Sequence, residues 1–484
     1  MTLPSETPTL PEAARLAAIP AASRDPATAD QATLAPPAPA EQVTVAFAGP
    51  GAGVAELTWG QRFIWNGMVR YGWIAIGAVL PQPPGRTVQD VADELQYTIS
   101  RFPALRTKLR FDADSRPSQE LFADGEFVFE VFDADGDADP QETASVVYRH
   151  YATITRDYAG EWPLRIAVVR RDGVVTHKVS LICHLMTDGG GSLVLSEEAE
   201  TRPTEPPRCT QQLELARVQA SPVGQRQSGM AIKHIETALR SVPPRPLPWS
   251  ADRREPRHWT GRLASAALSP AVQAIADRTR ADPAAVLMTL YAIGLGRREL
   301  LNPAVLRPVV NNRFRPGLRK TVSNLAGIGI CVLDVADITV DEAVARTRRV
   351  VRSAYKYAYY DPEAEQALIA RIAEEHPDDP RWDGLSWTYF NDRRTRKLAP
   401  ATDGLHDLLA QTEFNWVGWR DVPLEPVFLN VDDAPQGLVL TVISDTWHVA
   451  PKDGEGLLRD MEEVAVAAAN DPAAPTGVAA RGGS

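Results

Sequence analysis

Residues 174–200 read VVTHKVSLICHLMTDGGGSLVLSEEAE. Val174 to His184 is β-branched and apolar with polar interruptions, the pattern of a strand running into a core. Thr187-Asp188-Gly189-Gly190-Gly191 is a cluster of breakers, so the strand stops there and the chain turns. Ser192 occupies the position of an N-cap, and Leu193 to Ala199 follow as a short helix. His184 is thereby set at a strand end, beside glycine-rich backbone that another molecule can approach closely. Imidazole has the unperturbed pKa nearest neutrality, which makes His184 the candidate for proton transfer. The same residues also have a plain structural reading. A His beside a turn is commonly a hydrogen-bonded structural residue, and an Asp before glycines commonly makes an Asx-turn or caps the next helix.

Cys183-His184-Leu185-Met186-Thr187-Asp188-Gly189 resembles the HHxxxDG motif of nonribosomal peptide synthetase condensation domains. That motif also marks the wider superfamily of chloramphenicol acetyltransferase and the wax ester synthases. Cys183 stands where the motif has its first His; the second, which carries the chemistry in the family, is His184. Arg101 to Leu109, RFPALRTKL, is similar to the family's RHExLRTxF segment, with Phe102 and Pro103 replacing His and Glu. In the family the Arg of LRT pairs with the Asp of the motif, so the resemblance implies an Arg106–Asp188 contact. Leu57 to Trp65 resembles the first condensation-domain motif, in which a Gln (here Gln61) precedes a basic residue and an aromatic; Thr58 is its expected N-cap. Val309 to Arg315 resembles a family strand that ends in Asn-Arg, and Ser386 to Asp392 the crossover strand. From these, Asn311, Arg313, Ser386 and Asn391 are expected to bind substrate. Gly327-Ile328-Gly329-Ile330 departs from the commoner Gly-x-Phe-x-Asn pattern.

The resemblance covers roughly residues 42 to 470 and implies an α/β (α+β) fold. Two chloramphenicol acetyltransferase-like lobes in a V shape are expected, each a mostly antiparallel or mixed sheet with helices. The expected division is a Pro/Ala-rich disordered tail over 1–40, an N-terminal lobe over 41–240 and a C-terminal lobe over 241–475. A flexible C-terminus covers 476–484. The proline-rich stretch Ser241 to Trp249 is the boundary candidate.

With 484 residues the chain suits two lobes rather than one small core. Its formal charge of −11 argues against general nucleic-acid binding. No apolar run reaches membrane-spanning length and no basic-then-apolar leader opens the chain, so a cytoplasmic protein with no membrane partner is expected. The three cysteines, Cys183, Cys209 and Cys331, are far apart and lack metal spacing. Asp133 to Asp139 has the look of a calcium loop, but Ala144 occupies the twelfth position where an EF-hand needs Glu, so no metal site is expected. Gly49-Pro50-Gly51-Ala52-Gly53 lacks both phosphate-loop patterns and reads as a plain loop. Two basic clusters, Arg313/Arg315/Arg319/Lys320 and Arg393/Arg394/Arg396/Lys397, fit either a solvated surface or a hold on phosphopantetheine or an acidic carrier.

Neither a carrier-protein serine motif nor an adenylation-type loop is found, and a free-standing, monomeric unit is expected. What the resemblance implies is acyl transfer: a carrier-protein-bound acyl or aminoacyl thioester passes to a small-molecule amine or alcohol. No bound cofactor is expected, the substrate arriving on phosphopantetheine. A CoA-dependent acyltransferase, or a degenerate recruitment domain signalled by Cys183, are the alternatives. In the transfer His184 is catalytic, while Asp188, Gly189, Arg106 and Cys183 shape the motif. Cys183 is expected to face the core, since neighbours on a strand point to opposite faces.

Overall fold

The computed structural model describes residues 18–19, 36–72, 74–134, 136–154, 156–242, 247–377, 388–402, 404–420 and 425–480. The expected disordered tail and Ser386 therefore lie almost wholly, and wholly, outside the described residues. Two compact units emerge from the described chain. The first holds residues 31–226 and 311–326, the second 227–310 and 327–484.

In the first unit, β1 (Glu41–Ala48) and β2 (Gly53–Glu56) precede α1 (Trp59–Tyr71). Thr58 closes a capping box with Gln61, as its place before the apolar run suggested. After β3 (Ala75–Pro81), α2 (Val88–Arg101) buries Val91, Leu95 and Ile99, the stripe spaced four apart. Then come β4 (Thr107–Phe111), β5 (Pro117–Leu121), β6 (Asp124–Asp133), α3 (Pro140–Thr153) and β7 (Leu164–Arg171). β8 (Val174–Cys183), α4 (Gly189–Thr201) and α5 (Gln212–Ala220) complete it. The main sheet runs β1-β6-β7-β8-β3, antiparallel except for the β6–β7 pair; β2-β5-β4 form a smaller antiparallel sheet. β8 buries Val175, Val179, Leu181 and Cys183 in the core, while Thr176, Lys178, Ser180 and Ile182 are only half-buried.

The division between units falls inside α6 (Pro222–Arg240), not at the proline-rich stretch after residue 240. The reason is packing: Ala231, Ile235 and Leu239 of that helix join a cluster with Ile330, Tyr360, Leu368 and Ile372 of the second unit. Residues 311–326 also depart from the expected division, since they count with the first unit although their flanking strands belong to the second.

The second unit comprises β9 (His258–Ser265), α7 (Leu268–Thr279), α8 (Pro283–Arg297), β10 (Ala304–Val310), β11 (Gly327–Ile328) and β12 (Cys331–Leu333). They are followed by α9 (Val340–Lys356), α10 (Pro362–Glu375), β13 (Thr388–Asp392), β14 (Glu413–Arg420), β15 (Val427–Ala434), β16 (Gly437–Asp445) and α11 (Pro451–Asn470). Its sheet has the order β11-β10-β13-β15-β16-β9-β14, with β12 also on β10; β13 lies parallel to both neighbours. α8 is apolar all round because it is the unit's central helix, buried from Ala285 to Leu295. The tyrosines after α9 pack: Tyr360 is buried, and Tyr357 stacks on His234. Residues 476–480, expected to be flexible, are held instead. Thr476 donates to the Val335 carbonyl (2.8 Å), and Val478 is buried.

Candidate functional site

β8 ends at Cys183, and the next residue, His184, starts the loop that leads to α4. Cys183 is fully buried in the core, and that burial raises its thiol pKa. A buried thiol held neutral is no nucleophile, as the alternation of the strand implied. His184 emerges on the other side, half-buried. Its Nδ1 lies 2.8 Å from the Thr187 carbonyl oxygen. A carbonyl only accepts, so Nδ1 carries the proton and Nε2 keeps its lone pair. Burial lowers the His184 pKa, opposed by the Thr187 hydrogen bond and the charge of Asp188. The ring is thus held neutral, with the tautomer of a base.

Asp188 points away from this nitrogen. Its carboxylate accepts from the backbone N–H of Gly191 (2.8 Å) and of Leu325 (2.8 Å), and pairs with Arg313 Nη1 at 2.7 Å. It is the N-cap of α4, which therefore begins at Gly189; Ser192, the expected cap, lies inside the helix. Arg313 also donates to the carbonyls of Thr321 (3.0 Å) and Ser323 (3.2 Å). The glycines make room for this guanidinium. A Cβ on Gly190 would sit 2.6 Å from Arg313 Nη1, whereas one on Gly189 would meet open space.

The expected Arg106–Asp188 pair does not form. Arg106 is fully buried, but its guanidinium donates to the carbonyls of Pro50, Gly51 and Phe122. It clamps the Gly49–Gly53 loop, and among the described residues it meets no carboxylate. Asp188 has its acceptor capacity filled by Arg313, on a segment far along the chain. Arg313, expected to bind substrate, is therefore a structural partner of the motif. Asn311 accepts from the Arg313 backbone N–H (2.9 Å), and Asn391 donates to Asn430 (3.1 Å) within the second unit.

One residue of the site, Asn324, escaped the sequence reading, and a second, Gln61, was read only as part of the first motif. Asn324, fully buried, donates to the His184 carbonyl at 2.9 Å and fixes the backbone from which the imidazole projects. Gln61 caps Thr58 and also donates to the Met186 sulfur (3.7 Å), tying α1 to the loop. The Gln61 of the first motif was visible; Asn324 left no local signal. In the second basic cluster Arg393 pairs with Asp432 and Arg394 with Asp392, while Asp433 accepts from the backbone of Thr395 and Arg396. In the first cluster Lys320 pairs with Glu198 (3.2 Å) and Arg315 donates to Asn312. Among the described residues no group of His, Cys, Asp or Glu could hold a metal ion, and no helix is long and apolar enough to cross a membrane.

No family model matches the chain, and no curated protein matches it in sequence. Solved structures do. The condensation domain of the monacolin K polyketide synthase MokA superposes with a TM-score of 0.66 at 15% identity, covering 88% of this chain and 100% of its own. A structure concerned with condensation domain-mediated chain release from the enacyloxin polyketide synthase gives 0.63 at 17% identity, covering 86% and 83%. The chain has the condensation-domain fold. The X-domain from teicoplanin biosynthesis also shares it, with a TM-score of 0.61 at 14% identity and 99% of each chain covered.

Proposed function

We propose that the protein is a condensation-type acyltransferase that moves an acyl or aminoacyl group from a phosphopantetheine thioester to an amine or alcohol. The observation that carries this reading is the neutral His184, its Nδ1–H held by the Thr187 carbonyl and its Nε2 left as an acceptor. A thioester is already activated, so what remains is to align the acceptor and take its proton. As the acceptor nitrogen or oxygen bonds to the acyl carbon, its proton passes to His184 Nε2. The C–S bond then breaks, and the thiol leaves with that proton. Asp188, Arg313 and Asn324 hold the loop while this happens and take no proton.

Cys183 is the feature that favours a non-catalytic recruitment role. Its burial weakens that case, because the His184 tautomer is fixed by a backbone carbonyl and not by the side chain before it. The donor is proposed to be carrier-bound; CoA presents the same arm and is the second arm of the test. Carrier proteins loaded with acyl groups are incubated with candidate amines and alcohols, with and without the protein, and weighed intact; acyl-CoA is run in parallel. Loss of the acyl mass with wild type but not with His184→Ala supports the reading. Equal loss with both, or no loss with any donor, overturns it.

A further inference from the structure

His184 is held from behind by Asn324, and Asn324 in turn lies against the first turn of α1, all within the first unit. Three consecutive residues there serve the motif. The Ser323 carbonyl accepts from Arg313 (3.2 Å), Asn324 Nδ2 donates to the His184 carbonyl (2.9 Å), and the Leu325 backbone N–H donates to Asp188 (2.8 Å). Asn324 is fully buried; its Oδ1 accepts from the Ala326 N–H (3.1 Å), and its Nδ2 lies 3.5 Å from His184 Nδ1. A displacement of this tripeptide therefore reaches the imidazole and the carboxylate of the motif together.

The tripeptide is seated by a residue without a side chain. Gly60 is buried at the second position of α1. A Cβ there would sit 2.2 Å from the Asn324 carbonyl oxygen, 2.8 Å from its carbonyl carbon and 3.0 Å from its Oδ1. These distances are well inside the roughly 3.5–4.0 Å of a relaxed contact. At Gly190 the obstruction is a side chain; at Gly60 it is backbone, so the whole segment would have to move. The turn itself is firmly set. Thr58 and Gln61 close its capping box, the Trp59 N–H donates to Gln219 (2.9 Å), and Gln61 reaches the Met186 sulfur on the motif loop (3.7 Å). Glycine is a poor helix former, so the helix gains nothing from it. The contact with Asn324 does.

We infer that Gly60 is a positioning residue: the bare first turn of α1 seats Asn324 against the His184 carbonyl and so fixes the direction in which the imidazole projects. For the rate this rests on the acyl-transfer reading; for the ring it does not. The test is NMR of the full chain, isotope-labelled in the histidine rings, at pH 8, with His184→Ala assigning the signal. Wild type should show one neutral tautomer, protonated at Nδ1. Gly60→Ala should give a mixture of tautomers, and should change the signal less in an Asn324→Ala background, where the amide it displaces is already gone. A glycine that merely stabilises the fold would lower the melting temperature and leave the tautomer alone. In the transfer assay kcat should fall on the order of 10²-fold, the cost of a misplacement of about 1 Å. KM should hold, because a buried Gly60 meets no substrate. Should Gly60→Ala fail to fold, Gln219→Ala removes the acceptor of the Trp59 N–H and loosens the same turn without adding an atom; tautomer mixing is again expected. An unchanged His184 ring spectrum in the variant that folds overturns the inference, whatever the rates. A wild type that transfers nothing refutes the acyl-transfer reading alone, and the spectrum still decides this one.

Discussion

Two arginines that bear on the motif live differently, Arg106 fully buried and Arg313 nearly so. Arg106 meets three backbone carbonyls, and Arg313 meets the Asp188 carboxylate as well as carbonyls. The first holds a loop by dipoles alone, and burial lowers its pKa with no ion pair opposing. The second exchanges charge for charge, and its partner Asp188 caps the helix that follows the His184 loop. A guanidinium has five fixed donors and can satisfy either environment, so its presence in a motif says little about whom it meets. The difference teaches where the loop's stability resides: in a contact between Asp188 and a residue far along the chain, not in the neighbouring motif.

The largest expected effect tests that directly. Asp188→Ala leaves Arg313 buried without its carboxylate, at a cost on the order of 3–5 kcal/mol. Its melting temperature should fall sharply. His184→Ala should keep the wild-type melt while losing about 10²–10⁴ in transfer rate, the usual share of acid–base catalysis. Equal stability of both variants would move Asp188 from the frame into the chemistry.

Next in size is Gly190→Ala, which drives a methyl to 2.6 Å from Arg313 Nη1. Overpacking of this kind costs about 1–3 kcal/mol. Gly189→Ala, with open space ahead of it, should be nearly neutral in a urea melt. Reversed sensitivities would mean that the guanidinium lies elsewhere.

Double-mutant cycles then separate the two arginines. Asp188 and Arg313 should show a coupling of roughly 0.5–3 kcal/mol, whereas Asp188 and Arg106 should add within about 0.3–0.5 kcal/mol. A sizeable coupling to Arg106 would restore the pairing that the motif resemblance implied.

Much of the fold was legible because its signals are local. The strand before His184 and the Thr58 cap of α1 follow from periodicity and cap chemistry. α4 begins four residues earlier than Ser192 implied, because Asp188 both caps and pairs, and the glycines are tolerated in the first turn. The site was legible only in part. His184, Asp188 and the inward Cys183 could be read from one short stretch. The partner of Asp188, and Asn324 behind His184, come from residues 311–326. Only tertiary packing joins that segment to the loop, and no spacing rule reaches across it.

The smallest expected effect is a pH dependence that sets His184 apart from both arginines, which stay charged throughout. Burial lowers its pKa in the folded state below the ordinary histidine value of about 6.5. Between those two values the unfolded chain binds more protons than the folded one, so stability rises with pH there. The contribution is fully present above the unfolded value and is lost as pH falls through the folded one. One group can contribute a slope of at most about 1.4 kcal/mol per pH unit. His177 and His234 are lowered by burial too, so the wild-type curve alone does not isolate His184. The difference between wild type and His184→Ala does. Urea melts of both from pH 5 to 8 should run parallel above the ordinary value and separate below it, as wild type alone loses stability to protonation of the imidazole. The acid limb of kcat/KM should fall at the same depressed value, because the proton that destabilises the fold is the one that occupies Nε2. An acid limb above 6.5 would mean that His184 is stabilised as the cation, and a base held neutral by burial would no longer describe it.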